Sequence, residues 1–322
     1  MNLLYPAHLA RVEGESVQLF TPHAVLCFPR EPCNDGTPAA AATVSVMRIT
    51  ILGLGIIGST WARNHYADGR DIRTWNRTRK ADVPGFTVNV TAAVAGADVI
   101  MICVADPPAV QQVIDAIASG LRAGQIVVQT STISAAWTIR FAEQVAARGA
   151  AFLDCPFTGS KPAAEQRQTV FYSGGDAAIL ERARPALAPL SKAILHVGDI
   201  GAASSLKLAM NVNIALVGQA LCESLALARR AGLNDETFFK ALQLNASRSG
   251  VADLKEPKLR ARDWSPQFSI KHMAKDLRLA METAGDLPLA QAREVLRAYE
   301  SGLAQGWGDQ DFASLMRLVD PS

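Results

Sequence analysis

Three glycines constrain this chain more than any other feature. Gly53-Leu54-Gly55-Ile56-Ile57-Gly58 sits between the apolar run Arg48-Ile49-Thr50-Ile51-Leu52 and a helical pattern. A G-x-G-x-x-G is weak alone, but after a strand and at a helix start it carries a mechanism. Gly53 permits the tight turn, Gly55 lets the backbone approach a pyrophosphate, and Gly58 lets the helix pack on the strand. Leu54, Ile56 and Ile57 supply the intervening backbone, and the N–H groups of the helix start face the phosphates. The alternative is a tight turn with no ligand.

The rest of the chain suits that context. Strands are expected at residues 48–52, 72–75, 99–104, 126–129 and 151–154, and later at 169–173 and 194–197. Helices are expected at 57–66, 109–118, 134–147 and 177–187. This alternation implies a parallel sheet covered on both faces. After Val197 only helical patterns follow, at 202–230, 235–244, near 252–259, at 271–284 and at 289–300, with Pro257, Pro266 and Pro288 at helix boundaries. The chain reads as an α/β nucleotide-binding domain over residues 47–201 and an all-α domain over 202–322, which serves the substrate and self-association.

The second strand selects the cofactor. About 20 residues past such a turn, NAD-binding chains place Asp or Glu against the ribose hydroxyls. This chain reads Thr74-Trp75-Asn76-Arg77-Thr78. Arg77 can bind a 2′-phosphate through a planar charged fork, and Asn76 and Thr78 can add neutral hydrogen bonds, so NADPH is expected over NADH. A solvated surface role for Arg77 is the bland alternative. Val104 and Ala105 would line the nucleotide crevice, with Asp106 capping the next helix. Thr132 follows another strand and either touches the nicotinamide side or, with Ser131, caps a helix.

Chemistry is expected from an apolar helix. Lys207 and Asn211 are four residues apart and share a face. Polar groups there are costly unless satisfied or used. Hydride delivery to a carbonyl leaves an alkoxide, which a lysine can stabilise and protonate; the asparagine can orient the substrate. A snorkelling lysine and a surface asparagine are the alternative. Thr158-Gly159-Ser160 offers two hydroxyls and open backbone N–H groups suited to a carboxylate, or else forms a plain Gly/Pro turn with a helix cap.

Composition removes other classes. Lys plus Arg number 32 and Asp plus Glu 30, a net charge of +2, which gives no electrostatic case for nucleic acid or an anionic membrane. Five cysteines form no CxxC or Cys/His cluster, so neither a metal site nor a disulfide framework is expected. Cys103, Cys155 and Cys222 read as buried thiols of a cytoplasmic protein. Residues 206–228 have the length of a membrane span but contain Lys207, Asn211, Asn213, Gln219 and Glu223, costly in lipid; a helix buried among helices is expected. The apolar helical half suggests a homodimer or homotetramer. Residues 1–46 show neither a signal-peptide pattern nor sustained periodicity. They read either as a poorly ordered extension or as an arm that docks on the body.

In combination, these motifs resemble the β-hydroxyacid dehydrogenases, the group containing 3-hydroxyisobutyrate dehydrogenase, tartronate semialdehyde reductase and the glyoxylate/succinic semialdehyde reductases. The resemblance covers roughly residues 47–318, through segments 53–58, 154–160 and 201–211, Lys275-Asp276-Leu277, and the ending Gly308-Asp309-Gln310-Asp311-Phe312. It implies a Rossmann-type domain joined by a long helix to an all-α domain. It also implies NAD(P)-dependent interconversion of a short hydroxy acid and its oxo or semialdehyde form. Lys207 matches the family's catalytic lysine, Asn211 its partner, residues 158–160 the substrate-carboxylate motif, and Lys275 the lysine that approaches the bound cofactor. Most members read Ser-Gly-Gly in that motif. The glyoxylate/succinic semialdehyde branch reads Ser-Gly-Ser, then Lys and Pro-Ala-Glu. This chain continues Lys161-Pro162-Ala163-Ala164-Glu165, close to the branch but not identical, and Thr158 adds a methyl group. Trp75-Asn76-Arg77-Thr78 also resembles the imine reductases, which share the architecture but generally lack the lysine. Other relatives have lost the lysine and act as binding modules. Lys207 favours a hydroxyacid enzyme over both.

Overall fold

The computed structural model describes residues 47–321; the expectation for residues 1–46 lies outside the described residues. The first half runs β1 (Arg48–Leu52), α1 (Ile56–Ala67), β2 (Asp71–Trp75), α2 (Val90–Val94), β3 (Val99–Ile102), α3 (Pro107–Ile117), β4 (Ile126–Gln129), α4 (Ala135–Ala146) and β5 (Ala151–Asp154). These five strands are parallel, in the spatial order β2-β1-β3-β4-β5. β3 and β4 are buried along their whole length, which is why they read as unbroken apolar runs. The chain turns outward to β2 on one side of β1 and to β3 on the other. The glycines at the end of β1 therefore lie at the point where strand order reverses, where open α/β sheets leave a crevice.

The sheet then departs from the expected parallel arrangement. β6 (Phe157–Thr158), α5 (Lys161–Glu165), β7 (Thr169–Gly174), α6 (Ala177–Leu187) and β8 (Ser191–Gly198) follow. β7 runs antiparallel to both β5 and β6, and β8 runs parallel to β7. An apolar run marks a buried strand but carries no direction. Direction comes from the connection, and here a short return through β6 and α5 reverses it.

The second half is helical: α7 (Ala202–Arg230), α8 (Asp235–Gln243), α9 (Gly250–Ala261), α10 (Ile270–Ala284), α11 (Ala290–Ala304) and α12 (Met316–Val319). α7 buries one stripe, including Ala203, Ser204, Lys207, Leu208, Asn211 and Ala215. Ile270, Met273, Ala274 and Leu277 of α10 and Tyr299 of α11 build the core beside it with Phe312. A Cβ at Gly218 would come 2.9 Å from the Phe312 ring, so the C-terminal segment packs directly on the α7 backbone. Pro257 is not at a boundary, contrary to expectation; it lies inside α9. Tertiary contacts carry the helix through the missing N–H. Lys255 lies 2.8 Å from Asp311 with both side chains buried, and Leu259 is 1% exposed.

Candidate active site

The glycine turn is built to leave one opening. Gly53 has φ +102°, and a Cβ there would lie 2.2 Å from the Cys103 carbonyl oxygen. A Cβ at Gly58 would lie 2.0 Å from the Gly53 oxygen. Both glycines are therefore demanded by the chain's own packing. A Cβ at Gly55 would meet nothing within 4 Å, so this glycine faces open space at the start of α1. α1 has no capping side chain and no acid in its first turn. Its positive end and first donors are free for an anion, which fits a pyrophosphate.

Around the turn, the expected cofactor residues divide by what holds them. Asn76 accepts from the Leu54 N–H through Oδ1 at 2.9 Å and donates through Nδ2 to the Thr78 carbonyl at 2.8 Å. Its amide thus stitches the end of β2 to the glycine turn. Arg77 and Thr78 are exposed beside it, and the Arg77 fork makes one long contact, 3.4 Å to Gln112 Oε1. A Cβ at Gly53 would approach Val104 Cγ1 to 2.7 Å, so Val104 and the following Ala105 border the turn. Asp106 caps α3, accepting from the Ala109 N–H at 2.8 Å. Neither Ser131 nor Thr132 caps α4, whose first residue follows Ser134. Ser131 Oγ instead accepts from the Val104 N–H at 2.9 Å, and the Thr132 carbonyl accepts from Lys275 Nζ at 2.6 Å. This last bond joins the sheet edge to α10.

Across that bond lies the polar cluster of α7 and α10. Asn211 Nδ2 donates to Asp276 Oδ2 at 2.5 Å, and Asp276 Oδ1 is 2.6 Å from Lys275 Nζ. Lys207 is 7% exposed and makes no hydrogen bond or ion pair among the described residues. Burial pulls its amine down to about 8; Asp276 raises it and Lys275 lowers it further. The oxygen of Asn211 is buried without a partner. An amine without a partner and a spare acceptor thus share the buried face of α7, which Asp276 and Lys275 connect to the Thr132 carbonyl. At this burial Lys207 is not a surface lysine. Sequence reasoning misses Asp276 as a site residue, because nothing local in the sequence ties it to an asparagine 65 positions earlier.

The Thr158-Gly159-Ser160 segment forms the turn between β6 and α5. Asp154 pairs with Gly174 and Thr158 with Val170, so β6 extends beyond the carboxyl edge of β5, on the side of the glycine turn. Gly159 has φ +117°, and Ser160 precedes α5 without a capping bond from its hydroxyl. The turn is anchored by Phe157 against Trp61 of α1, ring centroids 4.9 Å apart. A groove runs from Gly55 and Ile56 past Arg63 to Lys161. Among the described residues no hydrogen bond ties this turn to Lys207.

Residues 48–198 match the model of the NAD-binding domain of 6-phosphogluconate dehydrogenase, and residues 201–319 match that of NADP-dependent 3-hydroxyisobutyrate dehydrogenase. A glyoxylate/succinic semialdehyde reductase of Arabidopsis thaliana is 29% identical over 286 residues, 85% of this chain and 98% of that one. An uncharacterised oxidoreductase of Synechocystis is 30% identical over 286 residues, with the same coverage of both chains. The crystal structure of a 3-hydroxyisobutyrate dehydrogenase from Salmonella typhimurium is 25% identical with a TM-score of 0.77, covering 84% of this chain and 99% of that one. An imine reductase of Myxococcus stipitatus, 24% identical with a TM-score of 0.57 over 84% of this chain and 99% of its own, shares the fold alone. Fold and matches together define an NAD(P)-dependent oxidoreductase acting on CH–OH groups. The chain belongs to the β-hydroxyacid dehydrogenase family, of the 3-hydroxyisobutyrate dehydrogenase type.

Proposed function

We propose that this protein is an NADPH-dependent reductase of a short carboxylate-bearing aldehyde or keto acid, of the glyoxylate or succinic semialdehyde kind. The observation that carries the reading is the buried, unpartnered amine of Lys207 beside the Asn211–Asp276 pair. With its pKa near 8, Lys207 is mostly charged at neutral pH and still gives up a proton readily. It stabilises the developing alkoxide and then protonates it. Asn211, its amide held by Asp276, presents its free oxygen to the substrate. The positive φ of Gly159 and the uncommitted hydroxyl of Ser160 support residues 158–160 as the carboxylate seat. The dinucleotide supplies the hydride when bound, its pyrophosphate at residues 53–58. Arg77 and Thr78 then meet the 2′-phosphate, which favours NADPH, and Lys275 stands between Thr132 and the cluster. α7 is apolar enough to span a bilayer by composition, yet only 39% of its most apolar window is buried. Together with the buried polar groups on its inner face, this supports a homodimer or homotetramer that covers the outer face.

The test is NADPH consumption, with NADH alongside, against glyoxylate, succinic semialdehyde, tartronate semialdehyde and 1-pyrroline. Turnover of an aldehyde acid that falls at least a thousandfold in Lys207→Ala, with NADPH binding retained, supports the reading. Turnover of the imine alone, or a fully active Lys207→Ala, overturns it.

A further inference from the structure

One buried carboxylate has no part in the chemistry above. Asp154 ends β5 and is fully buried. Its Oδ2 accepts from the backbone N–H of Gly201 at 3.1 Å and of Ser204 at 2.9 Å; its Oδ1 accepts from the Ser204 hydroxyl at 2.7 Å. Ser204 Oγ is also 2.8 Å from Thr138 Oγ1 of α4. α7 has no cap of its own: Gly201 precedes it, and its first turn contains no acid. The cap is supplied from a strand about 50 residues upstream.

We propose that Asp154, through Ser204, is a positioning residue that fixes the rotation and height of α7 and thereby places Lys207 against the nucleotide crevice. Ser204, Lys207 and Asn211 all belong to the one buried stripe of α7, spaced three and four residues apart. A tether at Ser204 therefore holds the face that carries the reacting amine. The carboxylate also stands at the positive end of a 29-residue helix, where an anion is favoured. Burial raises its pKa, while the Ser204 and Gly201 donors work against that rise. β5 belongs to the sheet that bears the glycine turn, and α4 packs against β5, so the tether sets a distance between the two halves of the site. This rests on the assignment of Lys207 above.

The test compares Asp154→Ala, Asp154→Asn and Ser204→Ala in the full chain. The asparagine keeps an acceptor for the two backbone donors and can donate to Ser204 Oγ, so it restores the geometry without the charge. Asp154→Ala is expected to lower kcat by about 10–100-fold, with NADPH Kd, read by fluorescence, within about threefold of the parent. Asp154→Asn should recover most of that loss, and Ser204→Ala should fall between. Amide hydrogen exchange at residues 204–208 should quicken in Asp154→Ala, a readout independent of turnover. Should Asp154→Ala fail to fold, Ser204→Ala carries the test with the same two readouts. An unchanged kcat in the folded variants, with only Tm lowered, overturns the proposal. An equal fall in the alanine and asparagine variants also overturns it, since charge rather than placement would then be at work. Lys207→Ala run in parallel separates the cases: if it stays active, the assignment of Lys207 fails first.

Discussion

Replacing Asp276 with asparagine should move the alkaline limb of the reduction rate downward by about one pH unit. The reduction needs Lys207 protonated, so the rate falls as pH rises through its pKa, near 8 in the parent protein. Asp276 is the carboxylate that raises that value, against the opposing effects of burial and Lys275. An opposite charge within about 4–6 Å shifts a pKa by roughly 1–3 units. Lys275 Nζ, 2.6 Å from the same carboxylate, cancels part of its field, which sets the lower end of that range. A limb near pH 7 leaves about one amine in ten charged at pH 8, against one in two in the parent. The rate at pH 8 therefore drops roughly fivefold, while the rate at pH 6 hardly changes. The substituted amide still offers an oxygen to Asn211 Nδ2, so that bond survives Asp276→Asn, while the ion pair with Lys275 is lost. Initial rates of NADPH consumption from about pH 5.5 to 9.5, at saturating substrate, read the shift. A limb that stays in place, or moves upward, would refute Lys207 as the titrating acid under the control of Asp276.

Gly55→Ala should fold with a nearly unchanged Tm, because its Cβ meets nothing of the chain, yet lose NADPH affinity at least a hundredfold by fluorescence titration. Arg77→Ala should narrow the NADPH-over-NADH preference in kcat/KM by about 10–100-fold, the worth of a charge-assisted hydrogen bond; unchanged selectivity would move 2′-phosphate recognition elsewhere. His65 is buried, and its pKa is lowered to about 4, chiefly by burial. The unfolded chain binds a proton there first, so this contribution is full above about pH 6.5 and is lost as pH falls toward 4. Urea midpoints should show about 2 kcal/mol lost between pH 7 and 5 from this group, and His65→Leu should lose correspondingly less over the same interval.

Several features were legible in the sequence because they depend on neighbours along the chain. The glycine spacing, the period-driven strands and helices, the Asp106 cap and the shared face of Lys207 and Asn211 are all local patterns. Strand and helix cores matched their patterns because apolar periodicity reports burial directly. Five features were decided only in three dimensions. The direction of β7 depends on how the chain returns after β5. Pro257 is kept inside α9 by packing, with Lys255 of the same helix buried against Asp311 of the C-terminal segment. Asn76 spends its amide on the glycine turn. Asp276 finds Asn211, and Asp154 finds the start of α7, across 65 and about 50 residues. For the last three, Asn76, Asp276 and Asp154, the physical reason is the same. A periodic pattern states that a side chain is buried, whereas the partner that compensates a buried charge or amide is chosen by the packing of distant segments, and no spacing along the chain encodes that choice.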